Sequence, residues 1–179
     1  GHRQPGGGYG GHTDLDALNK IGMSVTLSYE RQRLRRSGLE HAEIFYPSVS
    51  ETQQCALVFD VSTPDLVALA RAKCKVFEAA TDWLNKNFGI SLEWPGFDVL
   101  TLDSRDGKLV NRMIELKSSG VASRVQAMSW NEWKTAGSSL LRSDYYLYLV
   151  GNLRSDLNDA VPFIRLSETH SNNCSRKSG

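Results

Sequence analysis

The sequence predicts an α/β protein whose αβββαβ core holds a mixed central sheet flanked by helices, with an N-terminal extension packed against it. Three observations carry that expectation. An apolar stripe over residues 66–88 reads as a helix, a strand–turn–strand unit follows at 97–117, and a helix with its own capping signal then leads into an apolar run at 145–150. At 179 residues the chain suits one domain with its own core. Hydrophobic and charged fractions of 40% and 23% are ordinary globular values. The net charge of +1 supplies no overall basic field, so any nucleic-acid partner must be met by local patches. Cys55, Cys74 and Cys174 are odd in number and widely spaced, which makes neither a metal motif nor a disulfide framework and suits a reducing, cytoplasmic setting. No apolar run approaches the ~18 residues of a membrane helix, and no signal peptide is visible, so neither membrane nor secretion is expected.

Residues 1–12 read as a flexible linker or tag remnant, with Gly1-His2 as the scar of tag removal and the glycine-rich remainder as a link from a longer parent protein. Residues 13–62 form the extension. Within it, 15–39 is expected to be helical in part, and Arg31, Arg33, Arg35 and Arg36 make its one basic cluster. That cluster is either a solvated helix face or a phosphate-contacting patch beside the site. Residues 41–49 and 55–61 read as short strands or as extended segments covering the core.

Thr63 is placed to cap a helix whose first position is Pro64, with Asp65 at the positive end of its dipole. Leu66, Ala70, Cys74, Phe77, Thr81, Leu84 and Phe88 recur at spacings of three and four, a stripe long enough for about six turns. Gly89 ends it as the C′ glycine. Cys74 falls on the buried stripe as a hydrophobe. Glu78 lies at its edge, as a solvated carboxylate or as one leaning over the sheet towards Asp98. Residues 90–94 read as a short strand closed by Pro95-Gly96. Past the hairpin, 123–128 alternates polar and apolar and would add a strand, with Gln126 a candidate for the acidic face. Ser129-Trp130-Asn131-Glu132 has the form of a capping box, which accounts for Glu132 structurally. The helix it starts has Trp133, Gly137, Leu140 and Leu141 inside. Residues 144–150 have the look of a strand buried on both faces. Residues 161–166 suit an edge strand with Pro162 at its start, and 168–179 a disordered tail.

The chemistry concentrates in the hairpin. Residues 97–102 are β-prone, Asp106-Gly107 is a strong turn signal because both positions accept φ > 0, and Met113-Ile114-Glu115-Leu116-Lys117 alternates at period two. A strand there sends Met113, Glu115 and Lys117 to one face and Ile114 and Leu116 to the other. With Asp106-Gly107 as a two-residue loop, the register sets Asp98 directly opposite Glu115, their Cβ atoms roughly 4.5–5.5 Å apart. An ordinary sheet avoids that pairing, and a divalent cation such as Mg²⁺ resolves it by taking carboxylate oxygens as ligands. Lys117, one pleat on, adds a fixed positive charge beside the metal.

An acidic residue, then Glu-x-Lys on the next strand, is the core of the PD-(D/E)xK nuclease pattern, and the order of elements around it is that of the restriction-endonuclease-like fold. Taken alone, Glu115-Leu116-Lys117 also fits a half-exposed hairpin with a solvated charged face. The run from about Val76 to Val150 resembles the C-terminal domain family of the NO VEIN protein, which is grouped with such folds. The resemblance rests on the Glu78 helix, Gly96-Phe97-Asp98, the stretch Ile114-Glu115-Leu116-Lys117-Ser118-Ser119, Asn131-Glu132-Trp133, and the tyrosine-rich strand ending in Val150. It implies that Asp98 and Glu115 hold Mg²⁺, or Mn²⁺ in its place, with the Leu116 carbonyl as a third ligand. Lys117 would orient the attacking water or stabilise the phosphorane, and Glu78 would match the helix acid that some members use to hold metal-bound water. Phe97 stands where the wider pattern has proline, which weakens the match without breaking it. Ser118, Gln126 and the arginine cluster are the accompanying nucleic-acid contacts. Residues 63–167 are then a nuclease-like domain acting on DNA. Relatives of this kind sit at the end of larger proteins carrying helicase or Hsp90-type ATPase modules, several in defence systems, and restriction-like nucleases often act as homodimers. The rival expectation keeps the fold as a module that binds DNA, or assembles with an ATPase or helicase partner, without cutting.

Overall fold

The computed structural model describes residues 11–48, 56–120, 143–151, 153 and 163–168. Among them the elements run α1 (Gly11–Arg36), β1 (Glu43–Ile44), β2 (Ala56–Asp60), α2 (Pro64–Lys73), α3 (Lys75–Phe88), β3 (Val99–Leu102), β4 (Val110–Ser118), β5 (Tyr145–Gly151) and β6 (Phe163–Glu168). The strands form one sheet whose spatial order is the chain order, β1 to β6. β1–β2 and β4–β5 are parallel and the other neighbours antiparallel. This is the expected α/β class, a mixed sheet flanked by helices, consistent with a restriction-endonuclease-like core. The parallel β4–β5 pair demands a crossover. The helix and strand expected at 123–142, with Gln126, lie outside the described residues, as do residues 1–10 and 169–179.

Strand alternation sorts the core into two layers. Phe59, Leu100, Leu102, Val110, Met113 and Tyr145 face α2 and α3, packing with Val67, Ala70, Cys74, Phe77, Ala80 and Leu84. Val58, Val99, Ile114 and Tyr148 face α1, packing with Leu34 and the partly buried Met23 and Leu27. Because both faces are covered, all four residues of β3 are buried. The caps of the helices follow the sequence: the Thr63 hydroxyl accepts from Leu66 N at 3.3 Å, and Gly89, at φ 64°, closes α3 in the left-handed conformation.

Four expectations are corrected. The stripe at 64–88 is two helices rather than one, because Cys74 takes an extended conformation (φ −128°, ψ 106°) that ends α2 and starts α3. No glycine or proline marks that break, and the stripe runs through it unchanged in period. Residues 90–94 form no strand: the Ser91 hydroxyl accepts from Glu93 N and Trp94 N at 3.2 and 3.0 Å, offering the backbone a local turn instead of a ladder. The strand that pairs with β3 is β2, from the segment expected to be an extension. That segment therefore supplies α1 and two strands of the sheet. Finally, the hairpin turn is longer than Asp106-Gly107. Asp103 N donates to Leu109 O at 3.0 Å, and Gly107, at φ 73°, sits inside the wider loop.

α1 is anchored by a buried polar cluster. Glu30, fully buried, accepts from Tyr148 OH and from Arg33 Nη2 at 2.5 Å, with Arg112 Nη1 at 3.5 Å. Arg112 also donates to Tyr148 OH at 2.6 Å and lies 4.2 Å from the ring centre of Tyr146. Burial of this kind holds only when each charge is paired, and here two guanidinium groups and a phenol surround one carboxylate.

Candidate active site

Asp98 sits one residue before β3, between two strands. Its N–H donates to Ile114 O at 2.8 Å, and its carbonyl accepts from Val61 N at 2.8 Å. The side chain completes the ladder: Oδ2 accepts from Leu116 N at 2.9 Å. The approach is fixed by Gly96, at φ 83°, whose carbonyl accepts from Tyr145 OH at 3.0 Å. The pairs Val99↔Ile114, Leu100↔Met113 and Thr101↔Arg112 have the expected register up to the residues next to Asp98 and Glu115. Glu115 is 3% exposed, and its Oε1 lies 2.9 Å from Lys117 Nζ. The two side chains share a face, as their spacing required.

The register at the site is not set by the turn. Near the loop the pairing is Leu102↔Val110, one residue out of step with Thr101↔Arg112, so Asn111 is an extra residue on β4. The Thr101 hydroxyl accepts from Arg112 N at 3.0 Å, and Asn111 Oδ1 accepts from Arg33 Nη2 at 2.6 Å, which pins the bulge to α1. The wider loop and the bulge cancel, and Glu115 returns to the side expected from the two-residue turn.

Asp98, Glu115, Leu116, Lys117 and Ser118 line one cleft of about 730 Å³. Its opposite wall comes from the middle of α1, through Asn19, Lys20, Ser24 and Ser28. Its rim carries Tyr46, Asp60 and Ser62. None of these wall residues stands out in the sequence. Lys20, Ser24 and Ser28 recur at spacing four, but polar residues so spaced on a helix ordinarily mark a solvated face. Gly22 explains how the wall comes so close: a Cβ there would lie 2.0 Å from Ser118 Oγ. That hydroxyl is buried and has no hydrogen-bond partner among the described residues.

Other sequence candidates fall elsewhere. The Glu78 carboxylate pairs with Lys75 Nζ at 3.1 Å on the surface of α3 and is not among the cleft-lining residues. None of the four clustered arginines is among the cleft-lining residues. Arg33 bonds Glu30 and Asn111, while Arg35 and Arg31 pair with Glu43, the latter at 3.9 Å. Arg36 is exposed at the helix end.

The donor set suits one kind of ion. Among the described residues no three His, Cys, Asp or Glu side chains gather. A cation held here would rest on the Asp98 and Glu115 carboxylates and the Leu116 carbonyl. Two hard carboxylates, with remaining positions left to water or phosphate, fit Mg²⁺ or Mn²⁺ and lack the nitrogen and sulfur ligands of a zinc site. Among the described residues no helix is long and apolar enough to cross a membrane.

No curated protein and no solved structure matches the chain significantly. The family model described as "Protein NO VEIN, C-terminal" matches residues 66–163, more than half of the 179. The matched stretch opens in α2, ends at the start of β6, and contains Asp98, Glu115 and Lys117, while α1, β1 and β2 precede it. On that match, the chain belongs to the NO VEIN C-terminal family.

Proposed function

We propose that the protein is a metal-dependent endonuclease domain hydrolysing DNA phosphodiester bonds, part of a larger cytoplasmic defence or restriction protein. The observation that carries this reading is the meeting of Asp98, Glu115 and Lys117 at one cleft, in the register of an acid facing Glu-x-Lys. Asp98, Glu115 and the Leu116 carbonyl would hold Mg²⁺, which when bound acidifies water and polarises a phosphate oxygen. The chain's own groups do the positioning. The Asp98 carboxylate is held by the Leu116 amide, so its direction is set before substrate arrives. Lys117 carries an ammonium on the Glu115 face, where it would stabilise the negative charge that grows on the non-bridging oxygens as water attacks the phosphorus. Removing one such group typically slows chemistry about 10²–10³-fold.

The experiment is cleavage of supercoiled plasmid and single-stranded DNA in Mg²⁺, Mn²⁺ or EDTA, by wild type, Asp98→Ala and Lys117→Ala. We expect cutting with Mg²⁺ or Mn²⁺, none in EDTA, and loss in both variants with circular dichroism unchanged. Cutting at the wild-type rate by either variant would sink the assignment. One observation favours a second reading, a non-catalytic module for DNA binding or for assembly with an ATPase or helicase. Glu115 is already paired with Lys117, so the carboxylate pair is partly neutralised within the chain. Absence of Mg²⁺ and Mn²⁺ binding by calorimetry favours that module.

A further inference from the structure

We propose that the cleft takes a single or locally unpaired nucleic-acid strand, with Lys20 meeting its phosphates and Tyr46 stacking on a base. The inference deepens the nuclease reading and rests on it for the identity of the cleft as the substrate site. It draws on residues outside the family-matched stretch, so nothing in that match assigns it.

The carboxylates line the same cleft as the α1 residues, and α1 comes close to β4 at Gly22 and Ser118. The α1 wall of that cleft carries Asn19, Lys20 and Ser24, which are exposed and able to donate hydrogen bonds to phosphate oxygens. The described cleft lining contains two cations, Lys20 and Lys117, and Lys117 is paired with Glu115. Lys20 is therefore the lining cation placed to meet the backbone. Arg31, Arg33 and Arg35 are held by Glu43, Glu30 and Asn111, and none of these three nor Arg36 is among the cleft-lining residues.

Tyr46 decides between strand forms. It lies two residues past β1, lines the same cleft, and stands 48% exposed, although tyrosine gains from burial. Of the exposed aromatics Tyr29, Tyr46, Trp83 and Trp94, Tyr46 alone is among the cleft-lining residues described, and an exposed ring there offers a surface for a base face. Bases in a duplex are stacked on one another and present edges, whereas an unpaired base presents its face. The described cleft, about 730 Å³, has room for a small ligand or a few chain units.

The test is fluorescence anisotropy with a labelled oligothymidylate and a duplex of equal length, in Ca²⁺ to neutralise the carboxylates and with probe length checked afterwards. We expect the single strand to bind tighter than the duplex. Tyr46→Ala should weaken single-strand binding on the order of tenfold, within the range of base–aromatic stacking. Lys20→Ala should lower the log–log salt slope by about 0.7, the share of one phosphate contact on a single strand. Duplex binding as tight as the single strand, unchanged affinity in Tyr46→Ala, or no binding of either probe by wild type overturns the proposal. Because binding is read without cleavage, an inactive enzyme leaves it standing. Metal-dependent cutting that prefers duplex removes it while sparing the nuclease reading.

Discussion

At the scale of single residues, the molecule is tightest where charge is buried. Burial raises the Tyr148 phenol above its ordinary 10.0, and the neighbouring Glu30 carboxylate and its hydrogen bond add to that rise against the opposing pull of Arg112. The phenol thus keeps its proton in the fold at a pH where the unfolded chain gives it up. Its contribution to stability is complete below pH 10.0 and declines as the pH climbs beyond it, at about 1.4 kcal/mol per pH unit for one proton. Tyr148→Phe should remove that part of the alkaline slope in urea-unfolding curves and cost about 1–3 kcal/mol at neutral pH, where Glu30 loses a donor. An unchanged slope would show that the Tyr148 phenol gives up its proton as readily in the fold as in the unfolded chain. Gly22 makes a second residue-scale case. With Ser118 Oγ at 2.0 Å and Ser118 Cβ at 2.9 Å from an added Cβ, Gly22→Ala must push α1 off β4. A loss of about 1–3 kcal/mol is expected, recovered in part by Ser118→Gly, as read from thermal midpoints. The sequence shows Gly22 only as a glycine in a helix, because the strand it touches is about a hundred residues away.

Elements were legible where their cause was local. The Thr63 cap, Pro64 at the first helical position and Gly89 at the end are all read from adjacent residues and all stand. The break at Cys74 and the absence of a strand at 90–94 were not legible, since tertiary packing overrides a periodic pattern and a serine turn competes with a ladder. The hairpin is the instructive element. Its register near the site came out as expected although its turn did not, because the longer loop and the bulge at Asn111 offset each other. Single-residue slips in a strand send every side chain to the other face, so this bulge is what keeps Val110 on the α2–α3 side while Ile114 stays paired with Val99. We expect Asn111→Ala to cost about 1–3 kcal/mol, since the Arg33 guanidinium loses its acceptor on β4. Gly107→Ala, strained by φ 73° but with open space around it, should cost about 1–2 kcal/mol and leave metal binding unaltered. Calorimetric titration with Mn²⁺ on the two variants, beside their urea midpoints, separates the bulge from the turn. Weaker binding in Gly107→Ala would return control of the register to the loop.

At the scale of the whole molecule, the family-matched stretch and the structural unit do not coincide. Residues 66–163 contain the acid and the Glu-x-Lys strand, yet β2 is an internal strand of the sheet and α1 covers the face formed by Val58, Val99, Ile114 and Tyr148. The sequence hid this because residues 13–62 carry no clean apolar period in their helix and only short strands, and their partners lie far along the chain. Taking β2 away would leave β3 an edge with unpaired N–H and C=O groups, and taking α1 away would bare one side of the core. It would also strip Glu30 from Arg112 and Tyr148, leaving a buried guanidinium without its carboxylate. A fragment starting at residue 63 should therefore show no cooperative unfolding in urea and little amide-exchange protection in β3 and β4, whereas the full chain should unfold in one transition. Exchange protection of β3 in that fragment equal to that in the full chain would mean that β2 and α1 only decorate a self-sufficient core. The α1 wall of the cleft would then be an addition to the fold rather than part of it.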